Sequence, residues 1–146
     1  MNEIKFTPIG YVKNNVRELR FGDFAKEVSE IVVDEKYTEA LDGIEDYSHI
    51  IIVYWMDKVK EHVIKHQPQG NPEVPIVGIF ACRCPARPNP IAITTVKLLE
   101  RKGNRIKVEG LDVLNGTPVI DIKPHWPQYD KVENAKIPDW VNKLKF

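Results

Sequence analysis

Ile93-Thr94-Thr95-Val96-Lys97-Leu98-Leu99-Glu100-Arg101-Lys102-Gly103-Asn104-Arg105-Ile106-Lys107-Val108-Glu109-Gly110-Leu111 is the stretch whose reading decides the fold. Ile93–Leu99 and Arg105–Leu111 read as strands, and Lys102-Gly103-Asn104 between them is a hairpin signal. Downstream, Asn115-Gly116 marks a tight turn before a last strand, Val119–Ile122. Upstream, Val77–Ala81, Glu27–Val33 and the alternating Phe6–Val12 read as strands. Ser48–Met56, rich in Ile, Val and aromatics, reads as a central buried strand. Little helix is expected: Tyr37–Leu41 stopped by Gly43, a turn or two within Asp57–Gln67, and Ile137–Leu144 at the end. Lys13–Lys26 and Pro68–Pro75 read as loops. About seven short strands predict a mainly β domain over residues 1–146, its antiparallel or mixed sheet closed or nearly closed as a small barrel with short peripheral helices. No G-x-G-x-x-G, P-loop or H-E-x-x-H motif occurs, which argues against a Rossmann fold.

The chain has 146 residues, 42% of them apolar, enough to build a core. Its longest apolar run, Ile50–Met56, is of strand length, and the first residues lack the apolar stretch of a signal peptide. No membrane association and a cytoplasmic location are therefore expected. The net charge of zero argues against a generic nucleic-acid coat protein. Arg83–Lys107 nevertheless holds seven basic residues against one acid, and Asp23–Glu61 eleven acids against four lysines. Such asymmetry either steers an anionic partner or coats a solvated strand face.

Two segments stand out chemically. Arg83-Cys84-Pro85-Ala86-Arg87-Pro88-Asn89-Pro90 sets two arginines and an asparagine on a frame stiffened by three prolines. The guanidinium fork of Arg83 or Arg87 suits a carboxylate or phosphate, and Asn89 both donates and accepts. In Leu111–Pro124, Asp112 and Asp121 flank a tight turn. In a regular strand Val119 and Asp121 share one face, with Ile120 and Ile122 on the other. Asp121 is then either functional or paired with Lys123 or an arginine. Cys82 and Cys84 read as ordinary thiols in a reducing compartment: their spacing is taken as unfavourable for a mutual disulfide, and two thiols do not complete a zinc site.

These residues resemble a known family. Gly78-Ile79-Phe80-Ala81-x-Arg83-x-Pro85-x-Arg87-Pro88-Asn89-Pro90-Ile91 and Leu111-Asp112-x-Leu114-x-Gly116-Thr117-Pro118-Val119-x-Asp121-Ile122-Lys123-Pro124 resemble the TsaA-like (TrmO) family. Pro8-Ile9-Gly10 and Leu41-x-Gly43-Ile44-Glu45-x-Tyr47-Ser48-His49 extend the likeness over nearly the whole chain. The resemblance implies a β-barrel methyltransferase that uses S-adenosylmethionine and works as a homodimer with its site near the subunit interface. The implied substrate is N6-threonylcarbamoyladenosine beside the tRNA anticodon, methylated at N6. On that reading Asp121, then Asp112, is the candidate base. Arg83 joins them in the catalytic set, and Arg87, Asn89, Lys123 and His125 bind substrate. The turn Leu114, Asn115, Gly116 and Thr117 contacts the cofactor, with Asp57 and Lys58 as further cofactor candidates. No metal is expected.

The chain departs from the family in places. Cys82 and Cys84 stand near positions where the family often has Thr or Ser. Asn115 stands for the usual Asp and His125 for Tyr. Arg20-Phe21-Gly22-Asp23 replaces a Pro-x-x-Pro-Gly-like segment, and an additional C-terminal domain of many bacterial members has no counterpart here. His62 and His66, at i and i+4, face one way only if helical and lack a third ligand, so an exposed helix face is expected. His49 reads as structural, and Trp55 and Trp140 as core or interface anchors. Trp126 and Tyr129 either stack on a base or pack across a dimer. Methylation of a small metabolite and a non-catalytic S-adenosylmethionine- or RNA-binding module are the competing functions.

Overall fold

Alternation along each strand decides which side chains meet. The computed structural model describes residues 1–18 and 22–146. Among these lie the strands β1 (Gly10–Lys13), β2 (Val28–Val33), β3 (His49–Trp55), β4 (Lys65–His66), β5 (Val77–Gly78), β6 (Ile91–Lys102), β7 (Arg105–Glu109) and β8 (Pro118–Pro124). Six of them close an antiparallel barrel in the order β1-β2-β7-β6-β3-β8. The remaining two, β4 and β5, form a separate ribbon. The β6–β7 hairpin turns through Gly103, at φ +59°, and Asn104.

Ile50, Ile52 and Tyr54 of β3 point inward, with Ile31 and Val33 of β2, Ile106 and Val108 of β7, Val96 of β6 and Val119 of β8. Each fully buried Ile or Val stabilises the fold by about 1.5–3 kcal/mol. The 3₁₀ segment Glu35–Leu41 brings Leu41 into this core beyond the end of β2, and Leu111 and Val113 enter it beyond the end of β7. The two plugs fill opposite ends of the barrel. Arg101 clamps the Leu41 end: its guanidinium donates to Asp42 Oδ1 at 3.0 Å, Glu45 Oε1 at 3.2 Å, Thr38 O at 3.0 Å and Gly103 O at 2.9 Å.

The barrel and its hairpin agree with the expectation, and the ends of elements differ. The first strand begins at Gly10 rather than Phe6, because Phe6 has no core to face and is exposed. No helix forms in Asp57–Gln67, whose backbone takes distant partners instead. Val63 N–H donates to Ala86 O, Ile64 O accepts from Ile79 N–H, and Lys65 and His66 pair with Gly78 and Val77. His62 and His66 therefore share no helix face, and no metal-binding cluster occurs among the described residues. Val77–Ala81 is strand only to Gly78 and then turns into a 3₁₀ segment that buries Ile79. Trp55 is no core anchor: it ends the outward row of β3 and stays 45% exposed. Of Arg20–Asp23, Arg20 and Phe21 lie outside the described residues.

The thiol reading is overturned: Cys82 and Cys84 are joined by a disulfide. Residues i and i+2 of an extended chain lie on the same side, and here the Cα atoms stand 5.5 Å apart, within bridging range. Both half-cystines are buried against Ile79. A second correction concerns β8. Val53 pairs with Asp121 but Tyr54 pairs with Val119, so Ile120 is a bulge. Val119 therefore points inward and Asp121 outward, on opposite faces.

Closure brings β1 against β2 with no room to spare. A Cβ on Gly10 would overlap Val32 O and lie 2.9 Å from Val33 Cα. Gly10→Ala is expected to lower the unfolding free energy by about 1–3 kcal/mol, as overpacking does, measured by urea denaturation. A Cys82→Ser/Cys84→Ser pair is expected to cost no more than about 2 kcal/mol in the same assay, because so short a loop loses little chain entropy on closure.

Candidate functional site

Arg83–Pro90 is held by its own backbone. Arg87 Nη1 donates to Cys82 O at 2.6 Å and Cys84 O at 3.2 Å, so one edge of this guanidinium braces the disulfide loop. Ala86 O accepts from Val63 N–H, and Pro90 O accepts from Met56 N–H, which ties the loop to the end of β3 where Asp57 and Lys58 follow. Arg83 and Asn89 are exposed; Arg83 Nη2 donates to Ile93 O at 3.1 Å. The prolines supply the fixed φ, and the disulfide and Arg87 supply the cross-links that keep Arg83 at the rim.

The Leu111–Thr117 segment leaves the same end of the barrel and is pinned by β1. Asn115 N–H donates to Val16 O, Gly116 N–H to Val12 O, and Thr117 O accepts from Val12 N–H. Asn14 completes the tie: its N–H donates to Asn115 Oδ1 at 2.9 Å, and its amide donates to Val113 O at 3.1 Å and to buried Ser29 Oγ at 3.0 Å. Thr117 is 4% exposed, with its hydroxyl donating to Leu114 O. Gly116 turns the chain at φ +86°, a conformation costly for other residues. The amides of Asn115 and Gly116 are thus engaged within the chain, and half-buried Leu114 and the exposed Gly116 face outward.

Tyr54 joins the two loops from inside the barrel. Its hydroxyl donates to Asp112 O at 2.9 Å and lies 3.0 Å from Thr94 Oγ1. Burial pushes its pKa up; the Thr94 bond pulls it down, the Asp112 charge raises it and the Arg83 charge lowers it. Tyr54 Oη bonds Asp112 O and Thr94 Oγ1 while Arg83 bonds the neighbouring Ile93 O, so Arg83 and Asp112 meet at one barrel mouth, the end where β3 stops, where Asp57 and Lys58 follow and the Leu114–Thr117 turn also lies.

The remaining candidates run away from that mouth. Asp121 Oδ2 meets Lys123 Nζ at 2.8 Å, and this bond and its charge raise the lysine's pKa. The other oxygen, Oδ1, accepts from Ile122 N–H. His125 lies beyond the far end of β8. At about 3.3 Å per residue it stands roughly 20 Å from Pro118. There His125 N–H donates to His49 O, and His125 Nδ1 lies 3.2 Å from Asp130 Oδ2. The chain thus gathers the Arg83, Asp112 and Leu114–Thr117 set at one end and leaves Lys123 and His125 toward the other. Asn14, Tyr54 and Asp130 escaped the sequence reading. Asn14 sits in a stretch without periodicity, Tyr54 reads as core, and the Asp130 contact exists only once the chain has turned.

Comparisons with known proteins agree with this architecture. Residues 19–131 match the family described as the tRNA-methyltransferase O N-terminal domain. An S-adenosyl-L-methionine-binding protein of Archaeoglobus fulgidus is 43% identical over 133 residues, covering 88% of this chain and 94% of that one. A probable S-adenosyl-L-methionine-binding protein of Pyrococcus abyssi is 39% identical, covering 96% of this chain and 77% of that one. A crystal structure of TrmO from Pseudomonas aeruginosa superimposes with a TM-score of 0.78 at 26% identity, over 95% of this chain but 62% of that one. The chain thus spans less than two thirds of that protein's length. From its motifs, its barrel and a match over well more than half its length, the chain belongs to the tRNA-methyltransferase O N-terminal-domain family.

Proposed function

We propose that this chain, as one domain over residues 1–146, is an S-adenosylmethionine-dependent methyltransferase that methylates N6 of the threonylcarbamoyl-modified adenosine beside the anticodon of tRNA, in the cytoplasm. The observation that carries the reading is the match of residues 19–131 to the family on a closed barrel of the same fold. Relatives bearing S-adenosylmethionine in their names support the cofactor. The mouth residues fit it chemically: the carboxylates of Asp57 and Asp112 suit ribose hydroxyls and positive charge, and Arg83 suits a carboxylate. When bound, S-adenosylmethionine supplies an electrophilic methyl group.

The acceptor nitrogen is weakly nucleophilic and must lose a proton. A carboxylate within reach takes it, and Asp121 and Asp112 are the two candidates. Asp112 shares the mouth with Arg83, while Asp121 is held by Lys123 on the outer face. Arg83, braced at the rim, orients an anionic group of the substrate, with Arg87 and Asn89 beside it. Water exclusion calls for a cover over the outward row of β3 and β6. Trp55, Val53 and Ile51 along β3, with Ile93 opposite Val53, form an apolar strip there, Trp55 and Ile93 being 45% and 53% exposed. This strip supports homodimerisation, which would also bring Asp121 near a second copy.

Purified protein with labelled S-adenosylmethionine and tRNA carrying threonylcarbamoyladenosine is expected to label that nucleoside. Cofactor binding by calorimetry without any label would instead favour a small-metabolite acceptor, consistent with the zero net charge, or a binding module. Of Asp121→Asn and Asp112→Asn, the variant lacking the base is expected to lose about 10²–10⁴-fold in turnover while keeping cofactor affinity. If neither loses turnover, neither carboxylate is the base. Ile93→Glu is expected to convert a dimer to a monomer in analytical ultracentrifugation; a wild-type monomer would refute the dimer.

A further inference from the structure

The far end of the barrel carries an aromatic corner that the mouth residues do not use. Trp126 is 49% exposed, yet its only polar atom, Nε1, donates to Tyr47 Oη at 3.2 Å. The indole therefore has no edge donor left for a ligand and presents only a face. Its backbone is fixed from both sides. Trp126 N–H donates to Asp130 Oδ2 at 2.9 Å, and Trp126 O accepts from Tyr129 N–H and Asp130 N–H, each at 2.8 Å. This closes the single helical turn α1 (Pro127–Asp130) into a rigid knuckle. Tyr129, 83% exposed, stands edge-on to the indole, with centroids 6.3 Å apart at 68°.

His125 completes the corner. Its Nδ1 is buried without a hydrogen-bond partner, with the carboxylate oxygen Asp130 Oδ2 3.2 Å away. The second ring nitrogen, Nε2, donates to or accepts from a ligand according to the tautomer. The His49 ring flanks it edge-on at 6.5 Å, itself held by Ser48 Oγ at 2.7 Å from Nδ1. Lys97 lies opposite His49 in the β3–β6 register. A fixed flat face, a ring at right angles, an imidazole and a nearby cation match an unpaired nucleoside: base on the indole, ribose hydroxyl or base edge on His125, phosphate toward Lys97.

We infer that His125, Trp126 and Tyr129, positioned by Asp130 and Tyr47, bind an unpaired nucleotide of an RNA at the barrel end opposite the Arg83 and Asp112 mouth. This rests on the RNA reading of the preceding subsection and adds a second contact to it. Roughly 20 Å of strand separates the two, so one protomer would hold flanking nucleotides here while the mouth, its own or a partner copy's, holds the reacting one. A second copy of the chain is the weaker fit, since His49, with Ser48 bonded to it and Lys97 opposite it, makes the His125 side of the corner polar.

The test is fluorescence anisotropy with a labelled, short, single-stranded oligoribonucleotide of mixed sequence, alongside calorimetry with S-adenosylmethionine to report the fold and the mouth. Trp126→Ala is expected to weaken RNA binding about 5- to 100-fold, the range for one stacked base, and Trp126→Phe to restore most of it. His125→Ala and Asp130→Asn are expected to weaken it several-fold with cofactor affinity unchanged. RNA affinity unaltered in Trp126→Ala and His125→Ala overturns the inference and leaves the methyltransferase reading standing. A Trp126→Ala variant that changes the sedimenting mass but not the RNA affinity also overturns it, assigning the corner to a second copy. Failure of the wild-type protein to bind the oligoribonucleotide overturns the inference, while label transfer to modified tRNA decides the methyltransferase reading separately.

Discussion

The structure depends on the closure of the barrel through β8. This strand pairs with β3 along one side and with β1 along the other. An open six-stranded sheet would leave two edges and one wet face on the row Ile50, Ile52 and Tyr54; closure buries that row against Ile31, Ile106 and Val119. Two local devices make it feasible. Gly10 lets β1 approach Val32 and Val33 without a side chain between them. The extra residue at Ile120 bends β8 so that it meets both neighbours.

The same bulge decides where chemistry faces. Without it Asp121 would follow Val119 into the core, an uncompensated buried carboxylate of several kcal/mol cost. With it Asp121 emerges on the outer face beside Val53, where Lys123 neutralises it. Asp112 reaches the mouth by another route: Leu111 and Val113 on either side of it are buried, which forces the intervening side chain outward. Two acids close in sequence to one turn thus arrive at different places by different packing constraints.

Rigidity around the mouth comes from covalent and polar cross-links rather than from a large core. The Cys82–Cys84 disulfide, the Arg87 brace and the prolines hold one loop. Asn14, donating one bond each to Asn115, Val113 and Ser29, holds the other. Preorganised loops of this kind spend less ordering entropy when a ligand arrives. The opposite end uses the same strategy on a smaller scale, with Asp130 fixing the backbone of Trp126 beside His125.

The amino-acid sequence by itself determined the barrel strands, the Lys102-Gly103-Asn104 hairpin and the barrel class, because alternation, β-branched runs and glycine turns are local properties that the chain carries wherever it folds. The two motif loops were legible for the same reason, and the family came from the resemblance of those two long motifs. Tertiary structure alone decided the bulge at Ile120, the disulfide between residues that are neighbours in the chain, and the replacement of a helix in Asp57–Gln67 by long-range backbone pairing. It also decided that Lys123 and His125 lie far from the turn that precedes them. Each of these depends on which distant backbone group satisfies a given N–H or C=O, and that is settled only when the barrel closes.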